Sequence, residues 1–310
     1  MVSASFIFLH QKMSISSSDL WLNINKPAGY SSAKIVAIVK RITKAKKVGH
    51  AGTLDPFAFG VLPIAINKAT KTAQYVVNDR KKYFFQITWG EFRDSYDIDG
   101  KVTEVSDIRP VKTQLEEALK QFVGVIKQKP PRFSAIHVAG KRAYELARQD
   151  VAFELPEREI TIDEIKLLTF DSLSCDLEVT CSKGTYIRSL AYDLCKEMKV
   201  CGYVSKLGRL EVGRFKYEDS VTIEELQELV ETDNFFKSSK NFYHNLQDIL
   251  DFVCEINLDE KSCQKFQHGQ VITLDNFFDT KMLKVMRGLD LIGLAKVENN
   301  RLHAINVFLR

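Results

Sequence analysis

The segment Gly49-His50-Ala51-Gly52-Thr53-Leu54-Asp55-Pro56-Phe57-Ala58-Phe59-Gly60-Val61-Leu62-Pro63 carries one carboxylate, Asp55, among three glycines. Glycine permits backbone angles and close ligand approach that other residues resist. Pro56 biases Asp55 toward extended backbone, which presents its carboxylate from a loop. A carboxylate so placed can serve as a nucleophile or a general base. Turn formation or capping is the plain alternative. Other chemistries find no matching spacing. There is no G-x-x-x-x-G-K-[ST] run, and Gly49 to Gly60 lacks the G-x-G-x-x-G pattern of a dinucleotide fold. Asp97-Ile98-Asp99-Gly100 imitates part of a calcium loop, but its first and twelfth ligand positions would be Ser95 and Ser106. The cysteines, at 175, 181, 195, 201, 254 and 263, form no C-x-x-C pair, and the six histidines never pair at metal spacing. Free buried thiols in a reducing cytoplasm, and no metal, are therefore expected.

The surroundings of Asp55 are strongly basic. Lys26 to Lys82 contains twelve Lys/Arg and two acids, Asp55 and Asp79, a balance of +10, whereas the whole chain is only +4. A basic patch confined to one segment predicts a polyanionic partner, most commonly nucleic acid; a solvated helix face is the competing reading. Polyanion binding alone gives no reason for a carboxylate at the centre of such a field, where it tends to stay ionised.

The elements that must position these residues follow from periodicity. Trp21 to Asn25 reads as a strand ending in the turn Lys26-Pro27-Ala28-Gly29. Ser31 or Ser32 caps a helix with Ile35, Val39 and Ile42 on one face and Lys34, Lys40, Arg41 and Lys44 on another. Gly49 to Gly60 is expected to be a loop, leading into an apolar strand from Val61 to Ile66. Tyr83, Phe85, Ile87 and Trp89 alternate as a half-buried strand. Thr113 and Glu116 predict a capping box, and Thr222 with Glu225 another. Residues 127–154 are basic and proline-interrupted, with a helix near Ala143 to Gln149. Strands are predicted over Ile160–Phe170 and Asp176–Cys181, then a helix burying Ile187, Leu190, Ala191 and Leu194. Helices and strands do not alternate regularly, so the expected class is α+β. The length of 310 residues suits one large domain and a smaller one. The domains expected are a tail at 1–18, a large domain at 19–231, a linker at 232–245 and a final piece with short strand-like runs at 246–310. The Ser-rich tail is too short in its apolar run for a secretory signal; a frayed tail, or translation beginning at Met13, is expected instead. No apolar run reaches the roughly 18–20 residues needed to span a bilayer.

The run from Gly49 to Pro63 resembles the signature of the TruB family, the tRNA pseudouridine-55 synthases. The resemblance extends to Lys26–Ser32, Lys81-Lys82-Tyr83, Asp94–Gly100, Pro130–Ala135 and Cys181–Arg188, six ordered blocks. It implies a mixed, largely antiparallel sheet flanked by helices, the pseudouridine synthase fold, with a small C-terminal β-rich PUA-like domain. It places the catalytic aspartate at Asp55, for attack at C6, attack at C1′ or removal of the C2′ proton. It places an arginine that keeps this carboxylate ionised at Arg188, and a tyrosine stacking on the extruded uracil at Tyr83. Tyr83 also continues the apolar face of its strand, so a core role competes. The other substrate-binding positions implied are Lys26, His50, Asp94, Tyr186 and Leu207. Residues 127–154 correspond to the family's RNA-gripping insertion.

The resemblance further implies a cytoplasmic, monomeric enzyme that acts on the tRNA T-arm without cofactor, membrane or obligatory protein partner. Two readings compete: a guide-RNA-dependent synthase subunit, and a non-catalytic tRNA-binding or folding factor. The absence of a basic tail disfavours the first, and intact Asp55, Tyr83 and Arg188 disfavour the second.

Overall fold

The computed structural model describes residues 14–138, 140–149, 151–275 and 277–309. The expectations about Met13 and most of the 1–18 tail lie outside the described residues. In chain order, β1 (Leu20–Lys26), α1 (Ser32–Thr43), β2 (Val48–His50), β3 (Phe59–Ile66), α2 (Ala73–Asn78) and β4 (Lys81–Trp89) bring the basic segment together. The hairpin β5 (Glu91–Arg93) and β6 (Val102–Val105) precedes α3 (Lys112–Gln121) and β7 (Gly124–Gln128). The insertion holds a small hairpin, β8 (His137–Val138) and β9 (Lys141–Arg142), and α4 (Ala143–Arg148). Then come β10 (Arg158–Phe170), β11 (Ser174–Cys181), α5 (Ile187–Glu197), β12 (Gly202–Val212), β13 (Phe215–Lys216) and α6 (Ile223–Glu231). The remainder is β14 (Tyr243–Asn245), α7 (Leu246–Ile249), β15 (Glu255–Asn257), α8 (Glu260–Gln267), β16 (Ile272–Thr273), β17 (Thr280–Arg287), β18 (Asp290–Glu298) and β19 (Arg301–Val307).

The main sheet runs β14-β1-β3-β12-β4-β11-β10-β7, with β2 on β3 and β13 on β12. All its ladders are antiparallel except β3 with β12. This is the mixed, largely antiparallel sheet expected. A separate five-stranded sheet, β15-β17-β18-β19-β16, forms the C-terminal part and fits the PUA-like expectation. Alternation fixes β4, whose Lys81, Tyr83, Phe85, Ile87 and Trp89 are all buried. Phe85 and Ile87 join Leu177, Val179, Leu190 and Leu194 in the core under α3 and α5. Ile35 and Val39 of α1 and Leu226 of α6 bury against Leu22, Ile24, Leu62 and Ile64 of β1 and β3. A third apolar cluster joins Trp21, Val61 and Ala65 to Leu250, Leu291 and Phe308, and so seats the C-terminal sheet on the first. Within 232–245, Phe235 and Phe242 are buried and β14 pairs with β1.

Three local expectations need correction. His50 ends β2 and faces Ile64 across the ladder, so the loop begins after it. No capping box forms at Thr113 and Glu116: α3 starts at Lys112 with Val111 at its N-cap and no side-chain cap. Leu115 N–H already bonds Val111 O at 3.2 Å, which places Thr113 inside the first turn. β12, between β3 and β4, was not anticipated at all. The box at Thr222 and Glu225 does form, and Ser31 rather than Ser32 caps α1.

Candidate active site

Asp55 lies in the turn between β2 and β3, and α5 aims Arg188, its second residue, at it. Arg188 Nη2 donates to Asp55 Oδ1 at 3.0 Å, and Nε lies 2.9 Å from Oδ2. The Nε–H is not aligned for a hydrogen bond, so that second contact is an ion pair. Arg188 Nη1 meets a second carboxylate, Asp97 Oδ2, at 3.0 Å. It also donates to Ser95 O at 3.1 Å, while Nη2 donates to Phe133 O at 2.9 Å. One guanidinium therefore gathers the Asp55 loop, the Ser95–Asp97 turn and the root of the insertion. The side chains of Arg188 and Asp97 are 4% and 5% exposed, whereas Asp55 keeps 30%. Asp55 is the acid a substrate can reach. Burial pushes the Asp97 carboxyl up, against the downward pull of Arg188 and of the Ser95 hydroxyl, which donates to Asp97 Oδ1 at 2.6 Å.

The loop that presents Asp55 is fastened on both sides. Ser32 Oγ donates to Leu54 O at 3.0 Å and accepts from Leu54 N–H at 2.9 Å. Lys26 is fully buried, and its Nζ donates to Pro27 O at 2.9 Å, Tyr30 O at 2.6 Å and Pro56 O at 3.1 Å. Burial lowers its pKa to about 8, while the Asp55 charge acts the other way. Gly29 N–H reaches the same Pro56 carbonyl at 2.8 Å. Lys26 thus positions the loop through its carbonyls.

From beneath, Arg209 of β12 is 1% exposed. Its Nε donates to Val61 O at 2.8 Å, Nη2 to Gly52 O at 3.1 Å and Nη1 to Thr53 O at 3.5 Å. The close pairing of β12 with β3 requires Gly60, at φ +107°, where a Cβ would stand 2.3 Å from Arg209 O.

The remaining expected residues are Tyr83, Leu207, Tyr186, His50 and Asp94. Tyr83 is 8% exposed and Leu207 4%, and both share a core cluster with Leu54 beside Asp55. Burial raises the Tyr83 pKa, Arg209 counters it, and the phenol is close enough to feel the Asp55 charge. Tyr186 stands at the N-cap of α5, its backbone N–H and C=O both held by the Gln128 amide at 2.8 and 3.0 Å. Arg158 lies 5.3 Å over its ring, and burial raises its pKa, to which Asp55 adds. His50 is kept toward its neutral form by burial and then by Arg209, and its buried Nδ1 has no hydrogen-bond partner among the described residues. Asp94 closes a turn, its Oδ1 accepting from Lys101 N–H at 2.9 Å. Asp97, Arg209, Ser32 and Gln128 were missed as site residues. The signal for the first three was proximity in sequence to Asp94, Leu207 and Ser31. Gln128 offered none. Among the described residues no group of three or more His, Cys, Asp or Glu is placed to hold a metal ion.

Residues 40–187 match the TruB family pseudouridylate synthase (N terminal domain). The tRNA pseudouridine synthase B of Ehrlichia ruminantium (strain Gardel) is 39% identical over 296 residues, covering 93% of this chain and 98% of that protein. The tRNA pseudouridine synthase B of Brucella ovis is 46% identical over 208 residues, covering 67% of this chain and 64% of that protein. In fold, the chain is similar to a solved H/ACA RNP bound to a substrate RNA containing 2'-deoxyuridine. That likeness has a TM-score of 0.67 at 21% identity and covers 94% of this chain and 85% of the other. The chain belongs to the TruB family of pseudouridylate synthases.

Proposed function

We propose that this protein isomerises uridine to pseudouridine at position 55 in the T loop of tRNA, with Asp55 as the carboxylate on which the reaction depends. The observation that carries this reading is the exposure pattern of the Asp55–Arg188–Asp97 cluster. Two buried groups hold one accessible carboxylate in place at the edge of a basic face. Arg188 anchors Asp55 through both oxygens, so the carboxylate meets an incoming nucleoside in a fixed orientation. The N1–C1′ bond breaks, the base turns and a C5–C1′ bond forms; the proton lost from C5 is matched by one gained at N1, so atoms balance.

Extracting a stacked base costs a few kcal/mol, which phosphate contacts and stacking offset. Lys34, Lys40, Arg41, Lys44, Lys46 and Lys47 are all exposed, and none pairs with a described acid. Lys127, Lys129, Arg132, Lys141, Arg142 and Arg148 are exposed on the insertion, whose root Phe133 O is held by Arg188. Tyr83 and Tyr186 supply ring faces near Asp55, and Leu207 an apolar wall. Residues 19–231 form the catalytic unit and 246–310 the smaller one. The protein works as a monomer in the cytoplasm, with no cofactor, guide RNA or protein partner. Among the described residues no helix is long and apolar enough to cross a membrane.

Asp55→Asn keeps the side-chain size and removes the charge. The expected result is tRNA bound within about threefold of wild-type affinity, with under 1% of the wild-type single-turnover rate. Retention of a tenth of that rate would contradict the role given to Asp55.

A further inference from the structure

We propose that Arg209 is a positioning residue for the isomerisation, fixing both ends of the loop that presents Asp55 and holding that loop against Tyr83. The proposal rests on the reading of the chain as a uridine isomerase. The geometry is specific. Register sets Arg209 opposite Gly60 of β3 on one side and Tyr83 of β4 on the other. Its guanidinium then reaches into the loop, taking carbonyls at Gly52 and Thr53 before Asp55 and at Val61 after it. A single rigid fork therefore spans the seven residues between Thr53 and Val61.

A residue serving only packing has no need of charge here. Its hydrogen-bond partners are neutral carbonyls, and a buried cation without a paired acid is costly. The field of that charge is felt around the site: burial lowers the pKa of Lys26, His50 and Lys81 most and Arg209 adds to it, while at Tyr83 Arg209 works against the rise that burial causes. Gly208 lets β12 approach β3 closely enough for Arg209 to reach the loop, since a Cβ there would lie 2.4 Å from the Phe59 ring of the paired strand. Lysine gathers its three donors on one nitrogen and so serves carbonyls around a single point, as Lys26 does, whereas the Arg209 fork spreads its donors over three nitrogens.

The test compares Arg209→Lys and Arg209→Gln with wild type on an unmodified T-arm stem-loop, reading melting temperature, RNA affinity and saturated single-turnover rate. Expected for a folded variant is affinity within threefold of wild type and a rate reduced at least thirtyfold, with Lys less impaired than Gln. Faster amide exchange at residues 52–58, with exchange in β4 unchanged, is the accompanying signature. A folded variant turning over within threefold of wild type would overturn the proposal. So would failure of both variants to fold, which would make Arg209 a stability residue, or a rate loss matched by an equal loss of affinity. Absence of turnover in wild type would instead refute the isomerase reading itself.

Discussion

At Tyr83 the core and pocket readings meet in one residue. The ring is buried within the central cluster, yet its hydroxyl lies within the electrostatic reach of Arg209 and Asp55. Tyr83→Phe keeps the ring, so melting temperature and RNA affinity should change little while single-turnover rate falls at least tenfold if the hydroxyl takes part in proton transfer. Tyr83→Ala should cost ~3–5 kcal/mol of stability, as for a buried Phe. An equally fast Tyr83→Phe would leave Tyr83 a core residue. Lys26 makes a pH-dependent prediction. Its folded pKa is about 8 against an ordinary 10.5, so burying its charge opposes folding below pH 8. That penalty is relieved as the pH rises from about 8 to 10.5, because the unfolded chain then holds a proton the folded one has released. Lys26→Met should remove ~2–3 kcal/mol of this upward trend. Urea unfolding of both proteins at pH 7.5 and 10 measures it, and parallel trends would contradict it. Asp55 and Arg188 were legible because their motifs are local. Asp97 was not, because its function depends on a contact across 91 residues of chain with Arg188.

Among the elements, those with a clean period were readable. β4 alternates without exception, and α1 and α5 place their apolar residues at helical spacing. β12 breaks every such rule, although it is the strand that carries Leu207 and Arg209. It contains Gly202 and Gly208, and its ladder with β4 shifts register at Val204/Lys206 and at Arg209/Glu211, which erases a simple alternation. Both glycines answer to neighbours distant in sequence, Gly202 to Ile87 and Trp89 and Gly208 to Phe59. The same holds for Gly60, which reads as a loop residue but lies inside β3. Gly60→Ala meets both a positive φ and the Arg209 backbone, and should cost at least ~2 kcal/mol of stability. Chemical denaturation measures this, and a loss under 0.5 kcal/mol (about the size of an ordinary surface change) would show that β3 and β12 are less tightly coupled than described.

For the whole molecule, two stretches with exposed basic residues are tied to the Asp55 site: α1, whose Ser32 holds Leu54, and the insertion, whose Phe133 carbonyl is held by Arg188. The α+β class and the second β-rich part followed from composition and patterning, but their seating on one another did not. It depends on Trp21, Leu250 and Phe308 meeting from distant parts of the chain. If these surfaces bind phosphates, log affinity must fall linearly with log salt. Lys46→Glu and Lys141→Glu should each weaken binding and leave the saturated single-turnover rate within about threefold of wild type. A flat salt dependence would contradict the basic-face assignment. The central claim is tested most directly by incubating the purified protein alone with an unmodified T-arm stem-loop and mapping the modified base. One pseudouridine per stem-loop is expected, at position 55, with no added RNA, protein or cofactor. Tight binding of the stem-loop with all its uridines unchanged would contradict it.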